Sequence, residues 1–128
     1  MEPRTRVLIV DDDKVITGAL RRLLSLDHDV TVANAGADAL ALIRDGKEFH
    51  VILCDVIMPG MSGVQVHKAL EEFAPAQAAA MILMTGGSVP RDAVELIARG
   101  MPNLPKPFDV DQLRAAIRQL RSGVPGQT

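Results

Sequence analysis

Four acids and a lysine stand where this chain has few structural reasons to put charge. Asp11, Asp12 and Asp13 follow the apolar run Val7-Leu8-Ile9-Val10 directly, and Asp55 follows Val51-Ile52-Leu53-Cys54 in the same way. A third apolar run, Met81 to Met84, ends in Thr85, and Lys106-Pro107 comes shortly after a weaker run near 102–104. Carboxylates gathered on one edge repel each other unless a cation joins them, and hard oxygen donors with positions open to water suit Mg2+ or Mn2+. A carboxylate beside such a cation can act as a nucleophile toward phosphorus. A hydroxyl and a mobile ammonium group would complete a phosphoryl-accepting site. Taken singly the residues are bland. Asp11 to Asp13 also suit a helix start, where acids are favourable and where Asp13 is expected to serve. A threonine at a strand end is ordinarily structural, and a lone lysine is ordinarily solvated.

The elements that would bring these residues together alternate along the chain. Residues 7–10, 30–32, 51–54, 81–84 and 102–104 read as strands; the continuous apolar character of the first, third and fourth is that of buried parallel strands. Between and after them, residues 14–26, 36–45, 63–73, 90–98 and 109–121 carry apolar side chains at helical spacing, such as Ile16, Leu20, Leu23 and Leu24 in the first. Five strands alternating with five helices predict an α/β fold, a single doubly wound five-stranded parallel sheet covered on both faces, with right-handed crossovers. Ligands of such sheets bind beyond the carboxyl ends of the strands, where the acids stand. The expected domain spans residues 5–121, with flexible ends at 1–4 and 122–128, where Gly, Pro and Ser cluster after the last helix.

Composition narrows the function. The chain has 128 residues, 48% hydrophobic, enough for one sizeable core. A net charge of −2 and the absence of Trp and Tyr argue against nucleic-acid binding by the domain itself. Its single cysteine, Cys54, cannot form an internal disulfide, which fits a reducing compartment. Alternation along the strand points Cys54 away from Asp55, as a core residue. No signal peptide or membrane-length apolar segment is visible, so a cytoplasmic protein, or the cytoplasmic portion of a membrane-bound kinase, is expected. His28, His50 and His67 lack metal-ligand spacing.

The ordered set VLIVDDD, VILCDVIMPGMSG, ILMTGG and LPKPF resembles the receiver domain of the two-component response-regulator family over about residues 5–121. The resemblance implies a flavodoxin-like sheet in the order 2-1-3-4-5. By position, Asp55 resembles the phosphoacceptor, Asp12 the acid that binds Mg2+ directly and Asp11 the one that acts through water. The backbone carbonyl of Ile57 falls where the family supplies a further metal ligand. Thr85 matches the hydroxyl residue that moves toward the phosphoryl group, Lys106 the lysine that pairs with it, and Lys106-Pro107 a cis peptide. Pro59 is expected to stiffen the loop after Asp55, Gly63 to start a helix without a side-chain clash, and Gly86 to leave space beside Thr85. The implied partner is a histidine kinase or a histidine phosphotransfer protein, which would meet helix one and the loops at the acid edge. Some receivers also dimerise through helix four, strand five and helix five.

Two departures qualify the resemblance. The family commonly carries an aromatic residue three positions before the lysine, and here that position is Asn103, within a segment that looks one residue short. In this the chain resembles receivers attached to hybrid histidine kinases, though a single-domain response regulator fits as well. At the two positions that tune phosphate lifetime, Ile57 and Gly87 cannot orient an attacking water, which implies slow self-dephosphorylation. A haloacid-dehalogenase-type phosphatase would need a second acid at position 57, where Ile57 stands. The remaining alternative is a receiver-like binding or dimerisation module that is not phosphorylated.

Overall fold

The computed structural model describes residues 4–122. Five strands, β1 (Thr5–Val10), β2 (His28–Ala33), β3 (Val51–Asp55), β4 (Met81–Thr85) and β5 (Asn103–Pro105), form one sheet in the order β2-β1-β3-β4-β5, with every neighbouring pair parallel. The helices are α1 (Lys14–Leu24), α2 (Gly36–Arg44), α3 (Gly63–Phe73), α4 (Pro75–Ala78), α5 (Arg91–Ala98) and α6 (Val110–Ser122). This is the expected doubly wound arrangement, with one short helix more than the five expected. That helix, α4, is a single turn with Pro75 at its first position, where a missing N–H costs nothing, and it is too short to show an apolar period. Strands β2, β3 and β4 run further than their apolar runs, and α1 stops at Leu24 because Ser25 caps it.

Alternation along the strands divides the core in two. Leu8, Val10, Ile52, Cys54 and Leu83 pack under α2, α3 and α5, against Leu40, Val66, Leu70 and Ala93. Val7, Ile9, Leu53, Ile82 and Met84 pack under α1 and α6, against Leu20, Leu24, Leu113 and Ile117. Fully burying each Val, Leu, Ile or Met side chain among these contributes about 1.5–3 kcal/mol before the entropy of ordering it is counted.

Helix starts are held by side chains that satisfy otherwise unpaired N–H groups. Asp13 Oδ1 accepts from Val15 N at 3.0 Å and Ile16 N at 3.2 Å, so Asp13 does serve the start of α1. Ser62 and Gln65 exchange hydrogen bonds across the first turn of α3. Gln77 of α4 bonds both the N–H and the C=O of Phe49, each at 2.9 Å, and so docks the connection before β4 onto the one before β3.

Of the expected flexible ends, residues 1–3 and 123–128 lie outside the described residues. At the inner margins, Arg4 donates to the carbonyls of Ser25 and His28, and Ser122 is the last residue of α6.

At the amino end of the sheet His50 extends the β1–β3 pairing. Its N–H donates to Arg6 O and its ring Nδ1 accepts from Arg6 N, both at 2.9 Å. The ring must be unprotonated at Nδ1 to accept. Burial, then the charges of Arg121 and Arg6, lower the His50 pKa. The folded state therefore favours neutral His50, and stability is complete above the unfolded value near 6.5 and declines as pH falls below it. Denaturant titrations from pH 7.5 to 5 should show the parent losing stability relative to His50→Asn; parallel pH profiles would contradict this.

Candidate functional site

The register aligns the ends of three strands. Val10 pairs with Cys54 and Asp55 pairs with Met84, so Asp11, Asp55 and Thr85 emerge on one edge of the sheet. Carboxylate oxygens of Asp11, Asp12 and Asp55 lie within 4.8 Å of one another, the spacing of a group able to share one cation. Asp11 is 1% exposed and Asp12 is exposed to solvent. The three acids therefore form a graded mouth, with one group sunk into the fold and another reaching out of it.

Lys106 supplies the countercharge. Its Nζ lies 3.1 Å from Asp11 Oδ2 and 3.4 Å from Asp55 Oδ1. Lys106 N donates to Thr85 O at 2.7 Å, tying the loop after β5 to the end of β4. The Lys106–Pro107 peptide is cis, as expected. Burial alone would lower the ammonium pKa, but the hydrogen bond and charge of Asp11 and the charge of Asp55 outweigh it and raise it. The Asp55 pKa is raised too, which for a carboxyl group favours the neutral form. Burial, followed by the charge of Asp11, raises its carboxyl above the ordinary value, with Lys106 only partly opposing.

Asp11 is oriented from behind. Its Oδ1 accepts from Asp13 N at 3.0 Å, and its carbonyl accepts from Asn34 Nδ2 at 2.9 Å. Asn34 also donates to Thr17 Oγ1 at 3.2 Å, bracing the loop between β1 and α1. Sequence reasoning missed Asn34; the signal was its place directly after β2, on the same edge as the acids.

The chain after Asp55 must turn at once, because α3 begins almost in contact with β3. Gly63 N donates to Val56 O at 2.9 Å, and a Cβ at Gly63 would stand 2.5 Å from the Asp55 carbonyl oxygen. Only glycine lets that approach occur. Gly60 sits at φ +81, in the left-handed region, and Pro59 O accepts from Met61 N within the same turn. Met58 is buried, whereas the Ile57 side chain is 58% exposed. A Cβ at Gly86 or Gly87 would meet nothing within 4 Å, so open space does lie beside Thr85.

Thr85 is 3% exposed, and its Oγ1 donates to Asn103 Oδ1 at 2.7 Å rather than to any of the acids. Leu20 of α1 is buried, 9% exposed, and Ile16 half-buried; both line a groove of about 430 Å³ with Gly87, Lys106, Pro107 and Phe108. Val15, just outside that groove on α1, is 81% exposed.

Such an edge, with clustered acids and a bridging lysine on a 2-1-3-4-5 sheet, defines a class. A family model described as the response regulator receiver domain matches residues 7–118, and the chain belongs to that family. Response regulator MprA of Mycobacterium sp. (strain KMS) is 35% identical over 116 residues, covering 90% of this chain and 50% of the relative. The chain thus spans about half the length of the curated relatives it matches. A solved structure of adenylate cyclase from Rhodopirellula baltica superimposes with a TM-score of 0.84 at 33% identity, over 94% of this chain and 89% of that one. FixJ-N superimposes with a TM-score of 0.82 at 26% identity, over 97% and 98% of the two chains. No helix among the described residues is long and apolar enough to cross a membrane.

The raised Asp55 pKa carries a sign. The fold disfavours the ionised carboxylate, so Asp55 weakens the native state once pH rises above the unfolded value near 3.9. Without divalent cation at pH 7, Asp55→Asn should melt at a higher temperature than the parent, and the gain should shrink as pH approaches 4. A lower melting temperature for the variant at pH 7 would contradict this electrostatic account.

Proposed function

We propose that this receiver domain accepts a phosphoryl group from a phosphohistidine onto Asp55 and serves as a switch or relay in a phosphorelay. The observation that carries the reading is the convergence of Asp11, Asp12 and Asp55 within sharing distance of one cation, with the Lys106 ammonium between Asp11 and Asp55.

The donor set is all hard oxygen, with exposed Asp12 leaving open positions for water, and it fits Mg2+ or Mn2+. Asp12, Asp55 and the Ile57 carbonyl would hold the ion directly, and Asp11 through water. When bound, it would neutralise charge on the incoming phosphoryl group.

The chain's own residues do the rest. An Asp55 oxygen attacks phosphorus; the new P–O bond forms as the P–N bond of the phosphohistidine breaks. The imidazole leaves with the electron pair of that bond and ends as a neutral ring once the proton balance is met by solvent. Lys106 shifts its contact from the Asp55 carboxylate to a phosphoryl oxygen, and Thr85 offers a hydroxyl to another. Gly86 and Gly87, without side chains, let the donor imidazole approach.

The donor would be a histidine kinase or a histidine phosphotransfer protein, set against exposed Val15 and the groove beside Lys106. Attachment to a hybrid histidine kinase in the cytoplasm is part of the proposal, and Asn103 at the customary aromatic position supports it.

Intact mass after incubation with acetyl phosphate and Mg2+ tests the chemistry. The parent should gain one phosphoryl group, about 80 Da, and Asp55→Asn none. No gain in a folded parent would remove the phosphoacceptor role. The phosphorylated parent should then lose the group over hours, since the Ile57 side chain is apolar and Gly87 has none, so neither position offers an attacking water a side-chain hydrogen bond. A half-life below a minute with Mg2+ would refute that expectation.

A further inference from the structure

The hydroxyl of Thr85 already has a partner. It donates to Asn103 Oδ1 at 2.7 Å, and a hydroxyl has one proton to give. Thr85 therefore cannot donate to Asn103 and to a phosphoryl oxygen on Asp55 at the same time. The sheet explains how the bond forms. Asn103 pairs with Leu83, and Thr85 with Pro105, so Thr85 and Asn103 are diagonal neighbours across β4 and β5. By alternation Thr85 follows Leu83 toward the α2, α3 and α5 face, while Asp55 follows Leu53 toward the α1 and α6 face.

The two ends of this bond are unequal. Asn103 is exposed, so its amide regains partners from water if the bond opens. Thr85 is buried, so its hydroxyl needs another acceptor at once. An anionic phosphoryl oxygen is a stronger acceptor than a neutral amide oxygen.

We propose that Asn103 is a positioning residue acting through Thr85. In the unphosphorylated protein it holds the hydroxyl away from Asp55, and it yields the hydroxyl when Asp55 receives a phosphoryl group. The proposal rests on the reading of Asp55 as phosphoacceptor. It gives position 103 a polar function in place of a ring: a competing acceptor that slows phosphorylation by the strength of one hydrogen bond and sends its freed amide to solvent at the β5 edge.

Phosphorylation rates with acetyl phosphate and Mg2+ test this in the full chain. Asn103→Ala should speed phosphorylation about three- to tenfold, the order of one net hydrogen bond. Asn103→Asp, a charged acceptor, should slow it. In a Thr85→Ala background each change at position 103 should alter the rate by less than about twofold, because the residue through which Asn103 acts is gone. Asn103 is exposed, so neither variant removes core packing. Equal effects of Asn103→Ala with and without Thr85, or a slower Asn103→Ala, would overturn the proposal and leave the phosphoacceptor reading intact. A parent that takes up no phosphoryl group would overturn both. Denaturation of the parent, Asn103→Ala, Thr85→Ala and the variant carrying both separates that case, since coupling between positions 85 and 103 would still report the hydrogen bond itself.

Discussion

The Lys106 ammonium, 3.1 Å from one carboxylate and 3.4 Å from another, is the interaction on which the acid edge depends. Two acids with little exposure, and a third close by, would repel strongly and resist burial without it. Lys106 lies nearer to Asp11, the deeper acid, and burial together with the charge of Asp11 keeps the Asp55 pKa raised despite it. A fixed countercharge of this sort keeps the edge assembled while leaving it reactive. The site is thus held in a state that a divalent cation can improve, and the fold tolerates the local repulsion because its two cores lie elsewhere.

Position at that edge comes from backbone geometry more than from side-chain contacts. Parallel register sets Asp11, Asp55 and Thr85 side by side, and the Lys106 N–H to Thr85 carbonyl bond brings the last loop to the same place. The turn after Asp55 is compressed until a Cβ at Gly63 would meet the Asp55 carbonyl. The start of α3 therefore lies against the backbone of the residue that would carry the phosphoryl group. The sheet separates this helix layer from α1 and α6, so the acid edge is the place where loops from both layers meet.

Much of this is legible in the amino-acid sequence. The apolar runs of β1, β3 and β4 are unambiguous because both faces of these strands are buried, and acids directly after two of them, β1 and β3, say more than the helix start that Asp13 serves. The cis Lys106–Pro107 bond, Asp13 as the helix cap and Cys54 as a core residue followed from motif or alternation. Helix α4 was invisible because one turn carries no period. The Gln77 bonds to Phe49, the brace from Asn34 and the Thr85–Asn103 bond were invisible for another reason. Each joins residues whose proximity depends on strand order and register, and each uses amides that look like ordinary solvated side chains in a one-dimensional reading. Asn103 stood out only as a missing ring; its acceptor oxygen acquired meaning when β5 placed it diagonally from Thr85.

Cys54 has a practical consequence. Its thiol is fully buried in β3, and burial together with the charges of Asp55 and Asp11 pushes its pKa far upward. It is also the one cysteine of the chain. A thiol that is neither accessible nor ionised reacts slowly with maleimides and disulfide reagents. The natural protein is therefore a silent background for spectroscopic labelling: a cysteine introduced at an exposed position, such as 15 on α1 or 94 on α5, would carry a fluorophore or spin label alone, with no need to remove Cys54 from a strand it helps to fill.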